Sequence, residues 1–238
     1  MDITHIKHST FLIETKDKIL LFDYYDGNIP ETGRDKKVYV FASHGHQDHF
    51  SMKVFDLFKN NMYVKYILSY DIRRSYRKTI ESAYPDKAGD ITYVIADQKF
   101  TLDDITVETL GSTDKGVAYI ITADGKTLYH SGDLHLWIWE GEPHKYNRDM
   151  EAHFKREMKK IQGRKIDIAF YPVDPRQNEI FDRGIRYFLD NTETSKVFPM
   201  HFLDDYSIIG KLVEKDTMKE YKERIIFMEH DGQKFFGL

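Results

Sequence analysis

The stretch FASHGHQDHF, residues 41–50, contains four side chains that can bind a metal ion: His44, His46, Asp48 and His49. The chain has 11 histidines, and three of them lie within this stretch. Neutral imidazole nitrogens and a carboxylate suit Zn²⁺, and also Mn²⁺ or Fe²⁺. The stretch follows the apolar run VYVFA, so it is predicted to form a loop at the end of a strand. Four potential ligands begin a two-metal site, and the remaining ligands must come from elsewhere in the chain.

Two later segments each place one more potential ligand directly after a predicted strand. In YHSGD, residues 129–133, Asp133 follows a strand and a glycine. In FPMHF, residues 198–202, His201 has a similar position. Because loops at strand ends gather functional side chains on a rigid scaffold, Asp133 and His201 are the best candidates to complete the site.

The periodicity of the chain predicts strands first and then a mixture of helices and strands. Three β-rich runs predict strands, the first two as a hairpin: residues 3–15, 18–25 and 37–42. Three later segments have helical spacing: residues 147–163, 180–192 and 216–225. Two final runs predict strands: residues 224–229 and 233–237. Strands that alternate with helices at this density predict sheets covered by helices.

These motifs resemble those of the metallo-β-lactamase-fold superfamily. HGHQDH matches its His-x-His-x-Asp-His motif, and the GD and PMH segments follow in the same order and at similar distances. Asp23, which ends the strand in KILLFDYY, also fits the N-terminal pattern. The compact length and the PMH segment look most like the ascorbate-6-phosphate-lactonase-like branch of metal-dependent hydrolases. The resemblance implies an α+β fold, a four-layer αββα sandwich, formed by a single domain over residues 1–238.

The resemblance also implies a role for each candidate ligand. His44 and His46 would bind a first metal, and Asp133 would bridge it to a second. The second metal would also be bound by three further side chains: Asp48, His49 and His201. Asp48 would in addition orient a water molecule or accept its proton.

One position departs from the superfamily pattern. The superfamily usually supplies another histidine for the first metal, but the corresponding segment, TLGSTDKGVAYII, contains none. Ser112 or Thr113 stands at the expected place, and Asp114 is a possible replacement ligand. Because a hydroxyl is a poor Zn²⁺ ligand, the second site is predicted to bind its metal more tightly than the first. The alternative that the enzyme uses a single metal stays open.

Several side chains near these motifs are candidates for binding substrate, among them Ser112 and Asp114. His135 lies two residues after Asp133 and could line the mouth of the site. Trp137 could form an apolar wall or anchor packing. Arg176, in YPVDPRQ, could bind a phosphate or carboxylate, or form an internal salt bridge.

Composition limits the class of partner. The net charge is −4 and no dense basic segment is present, which argues against nucleic acid. No apolar run reaches the ~20 residues that span a bilayer, and the N-terminus lacks an apolar signal core. There is no cysteine, which excludes thiolate zinc sites and fits a cytoplasmic location. We therefore predict a cytoplasmic hydrolase that uses metal-activated water on a small-molecule ester, lactone or phosphodiester, with the oligomeric state left open. The alternative is a binding protein that kept the fold but lost one ligand and its activity.

Overall fold

The computed structural model describes residues 1–238, which form two compact units. Unit 1 comprises Met1–Ile95 together with His230–Leu238, and unit 2 comprises Ala96–Glu229. No helix in the structure has the length and apolar character needed to cross a membrane. That residues 1–238 form a single domain stays a prediction.

The chain contains thirteen strands and four α-helices. The strands are β1 Asp2–Lys7, β2 Thr10–Glu14, β3 Lys18–Phe22, β4 Lys37–Ala42, β5 Val64–Ser69, β6 Ile91–Val94, β7 Lys99–Leu102, β8 Ile105–Gly111, β9 Val117–Ala123, β10 Lys126–His130, β11 Lys165–Pro172, β12 Glu193–Met200 and β13 Lys234–Phe235. The α-helices are α1 Tyr70–Ala83, α2 His144–Lys159, α3 Arg183–Asn191 and α4 Ser207–Glu214. Short 3₁₀ helices cover Met52–Asp56, Pro85–Asp90, Pro175–Ile180 and Asp216–Arg224.

Each unit is built on one mixed sheet. In unit 1 the order is β13-β1-β2-β3-β4-β5-β6, and the four strands from β3 to β6 are parallel. In unit 2 the order is β12-β11-β10-β9-β8-β7, and β10, β11 and β12 are parallel. The parallel strands β4 and β11 are almost continuously buried, which is why their sequences are nearly continuous apolar runs.

Aromatic stacking fills the interior of both units. In unit 1 the rings of Phe22 and Phe41 stack with centroids 4.7 Å apart. In unit 2 the ring of Phe188 stacks on Tyr129 at 5.0 Å and on Tyr171 at 4.8 Å. All five side chains are fully buried, so the abundant Phe and Tyr of the sequence serve largely as core.

Three predicted elements differ in the structure. The run predicted as one strand over residues 3–15 is two antiparallel strands, β1 and β2, joined by a turn at His8 and Ser9. Apolar residues continue on both sides of this turn, and the turn contains no glycine or proline. The sequence pattern therefore does not reveal the turn. The segment predicted as a helix over residues 216–225 contains a 3₁₀ helix, Asp216–Arg224, instead of an α-helix. Residues 224–229 form no strand beyond a single bridge from Ile225 to Val197.

Gly184 allows α3 to approach His135 closely, which gives a first prediction. A β-carbon at Gly184 would overlap His135 Cε1 and lie 2.6 Å from its Nδ1. We expect Gly184→Ala to lower the free energy of unfolding by about 1–3 kcal/mol through overpacking. Gly210→Ala in α4, where the nearest atom is 4.0 Å away, should instead raise it by about 0.5–1 kcal/mol through helix propensity. Urea unfolding measures both values, and equal effects of the two changes would contradict the crowding at His135.

Candidate metal centre

In unit 1, the carboxyl ends of three adjacent parallel strands carry the polar residues of the candidate site. Asp23 follows β3, Ser43 and His44 follow β4, and Asp71 follows β5 in the first turn of α1. Side chains at the carboxyl ends of parallel strands meet at one edge of the sheet, where ligands of open α/β sheets bind. The parallel pairing of β3, β4 and β5 therefore explains why residues far apart in sequence converge here.

Asp23 organises this edge. It is 0% exposed and has a left-handed backbone with φ of 45°. Its Oδ1 accepts a hydrogen bond from the Ser43 N–H at 2.6 Å, and its Oδ2 accepts from the Ser43 hydroxyl at 2.6 Å. Oδ2 also lies 2.7 Å from His49 Nδ1. A buried carboxylate is acceptor-only, so His49 Nδ1 carries a proton and donates it to Asp23.

The same network sets the tautomer of His44. Its Nδ1 lies 3.0 Å from Ser43 Oγ. Because the only hydroxyl proton of Ser43 goes to Asp23, Oγ accepts from His44 Nδ1–H. In both His44 and His49, Nε2 is then the unprotonated ring nitrogen. His44 Nε2 lies 3.0 Å from Nδ1 of His46, a half-buried residue.

Helix α1 fixes the backbone between His44 and His46. Asp71 Oδ2 accepts from the Gly45 N–H at 2.8 Å, and the Tyr76 hydroxyl donates to the Gly45 carbonyl at 3.3 Å. A β-carbon at Gly45 would lie 3.3 Å from Asp71 Oδ2 and from Tyr76 Cε2. Because position 45 is a glycine, Asp71 and Tyr76 can approach its backbone closely and fix the backbone between His44 and His46.

Asp48 and His49 meet a histidine that sequence reasoning passed over. His8, buried in the turn between β1 and β2, places its Nε2 3.6 Å from Asp48 Oδ2. The Nε2 of His49 lies 3.9 Å from the same oxygen. Asp48 itself is 47% exposed. In the sequence, His8 is a lone histidine inside a strand-like run, so the pattern gives no sign that its ring lies beside Asp48 and His49. The only local sign is the serine that follows it, at a turn without glycine or proline.

In unit 2, three adjacent parallel strands again carry the candidate residues at their carboxyl ends. Asp133 follows β10, Asp174 follows β11, and His201 follows β12 with φ of 62°. His201 Nδ1 lies 3.1 Å from Asp174 Oδ2, and its Nε2 lies 3.5 Å from Asp133 Oδ1. His201 therefore has the same arrangement as His49, with Nδ1 on a buried carboxylate and Nε2 directed towards a second group.

Arg176 holds Asp174 in its ionised form. Burial alone would raise the pKa of Asp174, but hydrogen bonds from Arg176 and His201 outweigh it and keep the pKa well below its usual range. The guanidinium makes two contacts through Nε, at 2.9 and 3.1 Å, and is 51% exposed. It also lies 5.7 Å from the ring of Trp139. Of the two roles predicted for Arg176, the internal salt bridge is present in the structure.

The segment that lacks the expected histidine offers a carboxylate in unit 2. The Thr113 hydroxyl donates to the His135 carbonyl at 2.6 Å, and Ser112 Oγ accepts from the Asp114 N–H at 3.1 Å. Both side chains thus bond to backbone groups, Ser112 within its own loop and Thr113 in the segment that follows β10. The carboxylate oxygens of Asp114 and Asp133 come within 4.8 Å of each other, so Asp114 is the group in this segment best suited to bind a metal.

His135 and Trp137 occupy the interior of unit 2 and do not line an exposed mouth as predicted for His135. His135 is 0% exposed and its Nε2 donates to Gln177 Oε1 at 2.6 Å. Burial lowers its pKa to about 4, so the ring is neutral at neutral pH. The Trp137 indole donates to the Asp133 carbonyl at 2.9 Å and stacks on Trp139 at 5.8 Å. These side chains pack in the interior next to Asp133. Of the two roles predicted for Trp137, packing describes its contacts.

The donor set fits a divalent metal. Histidines that bind metals usually donate their second ring N–H to a carboxylate or another acceptor, which fixes the tautomer and orients the ring. His49 does this through Asp23, His201 through Asp174, and His44 through Ser43. Of the six predicted ligands, unit 1 contains His44, His46, Asp48 and His49, and unit 2 contains Asp133 and His201.

Comparison with known proteins gives one family and several relatives. A family described as the beta-lactamase superfamily domain matches residues 2–148. A UPF0173 metal-dependent hydrolase from Nanoarchaeum equitans is 27% identical over 230 residues, which cover 90% of this chain and 93% of that one. Igni18, a metallo hydrolase from Ignicoccus hospitalis, aligns with a TM-score of 0.62 at 19% identity, over 98% of this chain and 97% of that one. The metallo-beta-lactamase fold protein YhfI from Bacillus subtilis aligns with a TM-score of 0.63 at 12% identity, over 98% of each chain. The last two show similarity of fold.

Proposed function

Because the chain belongs to the beta-lactamase superfamily domain family, we propose that it is a metal-dependent hydrolase that acts on a small molecule. The predicted superfamily and the predicted α+β fold class are confirmed. The name of the Nanoarchaeum equitans relative agrees with the predicted class of enzyme.

One observation carries the proposal: the paired arrangement of histidine and carboxylate in each unit. His49 on Asp23 and His201 on Asp174 are both buried, and both follow parallel strands. Burying a carboxylate against an imidazole costs desolvation free energy, and orienting a metal-binding imidazole is a recurrent role of such pairs. Two such pairs, each beside further potential ligands, support a metal centre more strongly than a set of unrelated core histidines.

We assign the ligands as the resemblance implies. His44 and His46 would hold the first ion, and Asp133 would be a ligand shared by both ions. Three further side chains would hold the second ion: Asp48, His49 and His201. For the first ion, Asp114 would take the place of the missing histidine, since the neighbouring Ser112 and Thr113 side chains bond to backbone groups, Ser112 to the Asp114 N–H and Thr113 to the His135 carbonyl. A carboxylate in place of an imidazole adds negative charge, which favours a harder ion such as Mn²⁺ or Fe²⁺ beside Zn²⁺.

A bound divalent ion supplies Lewis acidity that activates water near neutral pH and polarises a carbonyl or phosphoryl oxygen. The protein's own side chains orient the reactants and transfer protons. Asp48, 47% exposed, accepts a proton from the attacking water. Arg176, half-exposed beside Asp174, can attract an anionic part of a substrate. The proposed substrates are small esters, lactones and phosphodiesters, and the chain has no cysteine for a thiol nucleophile.

Metal removal and reconstitution test the proposal. Stripping with a chelator should abolish hydrolysis of a panel of esters, lactones and phosphodiesters, and adding Zn²⁺, Mn²⁺ or Fe²⁺ should restore it. Elemental analysis should find one to two ions per chain in the active protein. His49→Ala and His201→Ala should each lower the affinity for a divalent ion, whereas the exposed His144→Ala should not.

The outcomes separate the proposal from its alternative. Metal binding without hydrolysis of any compound in the panel would favour a metal-binding protein that lost its activity with the first-site histidine. A protein that binds no ion, even at high Zn²⁺ or Mn²⁺ concentration, would refute the hydrolase and its ligand set together. Unchanged affinity in His201→Ala would limit the ligands to unit 1.

A further inference from the structure

His8 occupies a strained position that its surroundings enforce. It forms the turn between β1 and β2 with φ of 53°, in the left-handed region. This conformation costs a non-glycine residue about 1–2 kcal/mol. The carbonyl of His8 accepts a hydrogen bond from His5 Nε2 at 3.2 Å, so a second buried histidine holds the turn. Strained residues that are held in this way concentrate at functional sites.

The turn directs the His8 imidazole into the interior of unit 1. The side chain is 4% exposed. Its ring meets the rings of His49 and Tyr25 edge-on, with centroids 6.0 and 6.1 Å away. An ordinary turn residue would direct a polar ring to solvent, whereas His8 is turned towards the side chains of the HGHQDH motif.

The distances to Asp48 are those expected between ligands of one ion. Asp48 Oδ2 lies 3.6 Å from His8 Nε2 and 3.9 Å from His49 Nε2. Both exceed a normal hydrogen bond, which ends near 3.2 Å. Two donors each about 2.1 Å from the same Zn²⁺ can be at most about 4.2 Å apart. The ligand atoms of His8, Asp48 and His49 all lie within 4.8 Å of one another, so small movements bring all three onto one ion.

We propose that His8 is a ligand, through Nε2, of the ion bound by Asp48 and His49. This inference rests on the proposed function and adds a residue to its ligand set. It gives the second ion a third protein ligand from unit 1 alone, and it predicts that this ion binds more tightly than the ion at His44 and His46. It also assigns a purpose to the strained turn, at which the His8 ring is directed inwards.

The test compares two substitutions at His8 with a matched control. His8→Asn removes the ring and keeps a residue that tolerates the left-handed conformation. His8→Gly removes both the ring and the strain, so it should fold even if His8→Asn is destabilised. His144→Asn removes an exposed histidine from α2 and controls for the loss of one imidazole. All three are made in the full chain, and unfolding in the metal-free state is measured first.

The readouts are Zn²⁺ affinity by competition with a chromogenic chelator and the visible spectrum of the Co²⁺ form. Loss of a group that merely orients a ligand lowers metal affinity 10- to 100-fold, so loss of a ligand should lower it by about 100-fold or more at the tighter site. The weaker site should change less than about threefold, and the Co²⁺ spectrum should show lower coordination. His144→Asn should match wild type.

Each outcome bears on a different claim. Wild-type affinity and an unchanged Co²⁺ spectrum in both folded His8 variants would overturn His8 as a ligand and leave the proposed hydrolase intact. A loss of metal-free stability without a loss of affinity would do the same, and would make His8 a packing residue. Failure of wild type itself to bind Zn²⁺ or Co²⁺ would overturn both proposals.

Discussion

Asp23→Asn is expected to lower the affinity for Zn²⁺ by about 10- to 100-fold, although asparagine has nearly the shape of aspartate. The carboxylate of Asp23 accepts from three donors: the Ser43 N–H, the Ser43 hydroxyl and His49 Nδ1–H. An amide can accept on one side only. With its oxygen towards the Ser43 N–H, its NH₂ group faces the Ser43 hydroxyl and His49 Nδ1, and both must become acceptors.

This one substitution should reverse the tautomers of two histidines. The His49 ring proton moves from Nδ1 to Nε2. Ser43, whose oxygen now accepts from the amide, gives its own proton to His44 Nδ1, and the His44 ring proton also moves to Nε2. A protonated nitrogen cannot bind a metal ion, so each ring presents the wrong nitrogen and must reorganise before it can act as a ligand.

The tautomers can be measured without any metal, from the ring ¹⁵N chemical shifts of the metal-free protein. Asp26→Asn is the matched control, since this carboxylate lies three residues further on and is 53% exposed. It should leave the ring shifts unchanged and the Zn²⁺ affinity within about twofold of wild type. If both rings keep Nδ1–H in Asp23→Asn, the role given to Asp23 is wrong.

Phe188→Ala should cause the largest loss of stability. The side chain is 0% exposed and lies between Tyr129 and Tyr171, with interplanar angles of 17° and 24°. Truncating a buried phenylalanine removes its transfer free energy and leaves a cavity, which together cost about 3–5 kcal/mol. At roughly 2–4 °C per kcal/mol for a chain of this size, the melting temperature should fall by about 6–20 °C.

The control for this prediction is Phe227→Ala in the same unit. Phe227 is 50% exposed, so its truncation should change the free energy of unfolding by no more than about 0.5 kcal/mol. Chemical denaturation of both variants gives the comparison. A loss below about 1 kcal/mol in Phe188→Ala would mean that the neighbouring rings close the cavity, and that the stack contributes less than its burial indicates.

The sequence was informative where side chains that can bind a metal directly follow a run with the periodicity of a strand. His44, His46, Asp48 and His49 stand together after an apolar run, and the parallel pairing of that run explains why they lie at a sheet edge. Asp133 and His201 were found by the same reasoning in unit 2, at the ends of β10 and β12. The assignment of all six as metal ligands stays a prediction.

The missed features depend on contacts between distant residues. His8 looks like a strand residue because a left-handed backbone at a non-glycine position leaves no mark in the pattern. Asp23 was visible as the end of a strand, but its bonds to Ser43 and His49 follow only from the pairing of β3 with β4. His135 looked like a site residue because it is close to Asp133 in sequence, yet the chain turns it inwards against Gln177.

The pairing of β13 with β1 has a consequence for biosynthesis. Ile3 pairs with Phe235 and Thr4 with Lys234, so the outer neighbour of β1 is translated more than 200 residues after it. At 5–20 residues per second, the ribosome needs roughly 10–50 s to cover that distance. Throughout this interval the nascent chain presents β1 as an open strand edge, which can pair with other chains. The strand that leads into His8 is thus open to pairing with other chains during synthesis, and a chaperone that shields extended segments would protect it.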